Sequence, residues 1–126
     1  MNSKSGRLVE ALARTCVFIH TSRNWEDYEN MYLDNEAIVS MTRWLVNHLD
    51  LDVNFAKQEI EEFSQSQYTA LKTDWNIGRL QAVNIVVSLE KEEKDVVISY
   101  INDLIPVALK DDAGVAKAIA IIISKM

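Results

Sequence analysis

The chain is expected to form one all-α domain, a compact bundle of about six helices, on three observations. Its 126 residues contain only three glycines (Gly6, Gly78, Gly114) and one proline, Pro106. That is too few turn residues for a fold of many short strands. Apolar residues recur at steps of three and four over most of the length, the period of a helix with one buried face. Short acidic breaks separate these periods, and aspartate at such a break caps the free N–H groups of the following helix.

The first helix runs from Leu8 to about Thr21. Leu12, Cys16 and Ile19 line one face, flanked by Val9, Ala13 and Val17, and residues 1–6 are expected to be a flexible tail. The polar and aromatic stretch from Ser22 to Leu33 has no apolar period and reads as a connection. Asp34 or Asn35 caps the second helix, whose buried stripe is Ile38, Met41, Leu45 and Leu49, with Trp44 beside it. Asp50-Leu51-Asp52 ends that period and caps a third helix from Val53 to about Leu71. There Ala56, Ile60 and Phe63 oppose Glu59, Glu61 and Glu62.

Asp74 caps a fourth helix, Ile77 to Leu89. Its run Ala82-Val83-Asn84-Ile85-Val86-Val87 is apolar nearly all round, as in a central helix surrounded by others. Glu90-Lys91-Glu92-Glu93 is a solvated break or a helix start. Val96, Val97, Tyr100, Ile101, Leu104 and Ile105 follow, and Pro106 kinks that helix or opens a new one. The last helix follows Asp111-Asp112-Ala113-Gly114. The fourth helix and Val115 to Met126 are expected to be the most buried. Val83–Val87, Val96–Ile101 and Ile119–Ile123 are rich in β-branched residues, as buried strands are. They lie within longer helical periods and lack turns between them, so the helical reading is kept.

Composition narrows the function. A net charge of -6 with thirteen scattered basic residues argues against a surface that neutralises nucleic-acid phosphates. A single cysteine, Cys16, makes no intramolecular disulfide and no metal-ligand pair, so the cytoplasm is the default location. The longest apolar run, Val115 to Ile123, is interrupted by Lys117 and falls short of the ~20 residues that span a bilayer. No membrane insertion is expected.

The two turns Thr73-Asp74-Trp75-Asn76-Ile77-Gly78 and Lys110-Asp111-Asp112-Ala113-Gly114, with the long apolar helices around them, resemble the tellurite-resistance TerB-like family. The match covers roughly residues 56–126. The resemblance implies a compact all-helical bundle in two halves, with carboxylates in and after the two turns associated with a divalent cation such as Ca²⁺. On that pattern Asp111 and Asp112, with Glu26, Asp27 or Glu29 across the bundle, are the candidate ligands. The acidic pattern is incomplete. The first half has Phe18-Ile19-His20-Thr21-Ser22-Arg23-Asn24-Trp25-Glu26 in place of an Asp-Gly pair, and Gly114, Val115 and Lys117 occupy later acidic positions. A hard cation wants about six oxygens, so helix capping is the simpler role for Asp111 and Asp112, and no bound cofactor is expected.

His20 and His48 each lie near a helix end, where the dipole favours an imidazolium, and no nucleophile or zinc spacing accompanies them. The expectation is a non-enzymatic protein-interaction module resembling TerB-like domains, acting in stress response, defence or counter-defence, in a phage or mobile-element setting. Trp25, Tyr28 and Tyr32, amphipathic aromatics outside the apolar stripes, are its candidate partner-binding residues together with Glu59 and Glu62. A divalent-metal-binding domain is the first alternative. A homodimer that buries Trp25, Tyr28 and Tyr32 is the second.

Overall fold

A computed structural model describes residues 3–22, 35–105 and 111–126. Six α-helices occupy them: α1 (Ser3–Thr21), α2 (Asn35–Leu49), α3 (Val53–Thr73), α4 (Trp75–Val87), α5 (Lys91–Leu104) and α6 (Ala113–Ile123). The three β-branched runs are all helical, and no strand occurs among the described residues. α1 takes in Ser3 to Gly6, which the sequence reading assigned to a flexible tail.

The bundle is built around α1, which packs against each of the other five helices. Every residue from Leu8 to Ser22 is buried except Glu10 and Arg14. This corrects the expectation that α4 and α6 lie deepest. α4 leaves Ile77, Leu80 and Val87 about half exposed, and α6 leaves Ile123 so. The physical reason is placement: α4 packs on α1, α3 and α6, which cover one side of it. The hydroxyls of Thr21 and Ser22 donate to the carbonyls of Val17 (2.7 Å) and Phe18 (2.6 Å), satisfying acceptors that the last turn of α1 leaves open.

The joints are short and capped. Asp50, just past α2, has a positive φ of 52°, the left-handed conformation that closes many helices. Asp52 caps α3, its Oδ2 accepting from the Phe55 N–H at 3.0 Å. One residue, Asp74, separates α3 from α4. Its N–H donates to the Ala70 carbonyl (2.9 Å) and its Oδ1 accepts from the Asn76 N–H (2.9 Å). At α5 the Glu93 carboxylate accepts from the Glu90 N–H at 3.0 Å, closing a capping box.

α3 and α4 meet closely at Gly78. A Cβ built there would lie 2.5 Å from Leu71 Cγ and Cδ2 and 2.8 Å from Leu71 Cα. The Gly78 carbonyl accepts from Gln67 Nε2 at 2.7 Å, and Gln67 Oε1 accepts from Arg14 Nη1 at 3.2 Å. Arg14 also donates to Glu10 (2.7 Å), Gln81 (3.1 Å) and Ser66 (3.3 Å), so the half-buried polar edge of α1 is knotted into α3 and α4.

α2 and α5 close over the far side of α1. The Trp44 ring meets Tyr100 edge to face at 5.4 Å, and its Nε1 donates to Asp103 Oδ2 at 3.0 Å. Tyr100 is fully buried, its hydroxyl lying against the Cys16 thiol. Burial, reinforced by Cys16, holds its pKa well above the ordinary value. The neutral hydroxyl therefore favours the folded chain. That contribution is complete below about pH 10, where an unfolded tyrosine ionises, and is lost as pH rises through the folded-state value. Tyr100→Phe is expected to change stability at pH 7 by less than about 1 kcal/mol, since the hydroxyl's contact is with a thiol, a weak hydrogen-bonding group. Chemical denaturation above pH 10 should show a shallower loss of stability in the variant than in the parent.

Candidate interaction groove

α2 and α3 are joined by three residues and pack side by side. α2 turns Met41, Trp44 and Leu45 into the core. A second set, Val39, Thr42, Arg43 and Val46, recurs at steps of three and four on its other side. α3 contributes Val53, Lys57 and Glu61, a row with a step of four. Together with Ile38 and Asn47 these side chains line an open groove of about 400 Å³.

Two valines make the groove unusual. Val39 is 55% exposed and Val53 54%, although each sits within a turn or two of fully buried core residues. Arg43 and Lys57 lie with Glu61 along the lining, a locally cationic balance on a chain of net charge -6. The Thr42 hydroxyl donates to the Ile38 carbonyl at 2.9 Å, so it is engaged within its own helix. The arrangement can hold apolar side chains against valine walls while its cations meet carboxylates at the rim.

Those residues singled out from sequence that the structure describes fall elsewhere. Glu59 is half-buried and Glu62 exposed on α3, and neither lines this groove, whereas Glu61 between them does. Trp25, Tyr28, Tyr32, Glu26, Asp27 and Glu29 lie outside the described residues. Asp112 is the N-cap of α6, its Oδ1 accepting from the N–H groups of Gly114 (2.9 Å) and Val115 (3.1 Å). Asp111 is exposed beside it. Among the described residues no three His, Cys, Asp or Glu side chains converge in a way that could hold a metal ion. Asp112→Ala is expected to cost about 1 kcal/mol in a denaturant titration, with Asp112→Asn retaining most of the cap. A rise in Tm with millimolar Ca²⁺ that Asp112→Asn abolishes would establish the cation reading.

The two histidines are built into helix ends. His20 is buried near the end of α1. The His48 imidazole stacks on Trp44 with centroids 4.3 Å apart, its Nδ1 3.0 Å from the Trp44 carbonyl and its Nε2 4.0 Å from Asp103 Oδ2. The Trp44, His48 and Asp103 trio ties α2 to α5.

Sequence reasoning passed over the groove because it searched for aromatic and acidic residues. The usable signal was Val39 and Val46, apolar positions seven apart on α2 and out of phase with its core stripe. No helix of the described residues is long and apolar enough to cross a membrane. Comparison of the chain with protein-family profiles, with curated proteins and with solved structures finds no match.

Proposed function

We propose that the chain is a non-catalytic protein-interaction module that receives a partner segment in the groove between α2 and α3. The observation that carries this reading is the pair of half-exposed valines, Val39 and Val53, facing an open apolar groove flanked by Arg43 and Lys57. A matching partner presents an amphipathic helix with apolar anchors three to four residues apart and carboxylates beside them. The two capped turns that resemble the TerB-like family support placing such a module in stress response, defence or counter-defence.

Site-specific photo-crosslinking in the native cell tests the proposal. A crosslinking residue at position 39 should capture a partner that the same residue at position 125, at the exposed C-terminal end, does not. The purified partner should then bind Val39→Asp at least about tenfold more weakly than the parent, as expected for burying a charge against an apolar anchor. Equal binding to parent and Val39→Asp, or no capture specific to position 39, would overturn the assignment.

A further inference from the structure

α4 is apolar nearly all round, yet the described helices cover only one side of it. A helix with that composition is normally enclosed. Exposed beside Asn76 and Gln81 are Ile77 (50%), Leu80 (46%), Asn84 and Val87 (52%). Their spacing is three, four and three, the a and d positions of two successive heptads, with asparagine at the second a position. The neighbouring e and g positions are Asn76, Gln81, Val83 and Ser88, none of them charged. The one charged residue of the helix, Arg79, is half-buried on the opposite side.

We infer that this face is a seam for a second copy of the same chain. Three features favour a self-partner over a different protein. Copies with a net charge of -6 repel each other over most of their surface, and the uncharged seam positions of α4, bordered by the mutually paired Glu10 and Arg14, are a place where they can approach. With no charge at e or g, no like-charge pair arises between the two α4 helices, and the Glu10 and Arg14 side chains of α1 that border Gln81 and Asn84 are paired with each other at 2.7 Å. Across a twofold axis running alongside α4, Asn84 meets the partner's Asn84, and an amide carries both the donor and the acceptor that such a pair needs. Asparagine at an a position lowers affinity but sets register, the use for which a polar seam residue is best attested.

The seam is short. Thirteen residues span about 20 Å, and one helix pair of that length falls at the weak end of interface size, below about 1,200 Å². Association is therefore concentration-dependent. None of the seam residues lines the groove between α2 and α3.

Sedimentation equilibrium of the full chain tests the seam, from micromolar to near-millimolar concentration. The weight-average mass should rise from 14.4 kDa toward twice that value. Asn84→Lys and Asn84→Glu change an exposed position and should keep the parent's circular dichroism. Each alone should remain at the mass of one chain, and an equimolar mixture of the two should again approach two. Asn54→Asp, at an exposed position of α3 outside both surfaces, should behave as the parent does. A parent that stays monomeric throughout, or a dimer indifferent to Asn84→Lys, would overturn the inference.

Discussion

Gly78→Ala is expected to lower the unfolding free energy by about 2 to 3 kcal/mol, although alanine is the better helix former by about 1 kcal/mol. The added methyl would sit 2.5 Å from two side-chain carbons of Leu71 and 2.8 Å from its Cα. The side chain can swing away, but the Cα belongs to the α3 backbone, so the helices must part. Parting them lengthens the 2.7 Å bond from Gln67 to the Gly78 carbonyl in a site where Gln67 is fully buried. A urea titration should show a lower midpoint with an unchanged slope, since the surface exposed on unfolding is the same. An alanine variant as stable as the parent would show that α3 and α4 are not in close contact there.

Arg14→Ala is expected to cost about 3 kcal/mol, more than an exposed arginine ever should. The Arg14 side chain is only 11% exposed, and its guanidinium donates to Glu10, Ser66, Gln67 and Gln81, on three helices. Its removal strands the Glu10 carboxylate, only 27% exposed, and the buried Gln67 oxygen together. Replacing both charges, Arg14→Met with Glu10→Met, should recover part of the loss, because a lone half-buried charge is worse than none. If the double variant is no more stable than Arg14→Ala, the cost lies in packing, including the 5.8 Å contact of Arg14 with the Phe63 ring.

The helices were legible because their ends are written in local chemistry. Asp52, Asp74 and Asp112 announce their caps by residue type and position, and each cap depends on atoms within three residues. Which helix lies at the centre was not legible. α1 and α4 are both apolar around most of their circumference, and only the packing of distant segments decides which is enclosed. The half-buried positions Glu10 and Arg14, four apart, were the one local hint, since they leave α1 a single polar edge. The groove was hidden for a related reason. Val39 and Val53 look like ordinary core residues until α2 and α3 are seen to turn them outward together.

The single residue between α3 and α4 carries a further consequence. Asp74 terminates one helix with its backbone and begins the next with its side chain, so the corner has no slack. One inserted residue would advance α4 by about 100° in angular phase and 1.5 Å along its axis. Gly78 would rotate off Leu71, and a bulkier neighbour would take its place against the α3 backbone. The length of this corner is thus as strongly specified as any side chain in the core. Lineages carrying the fold should accumulate insertions between Leu49 and Val53 before they tolerate one beside Asp74.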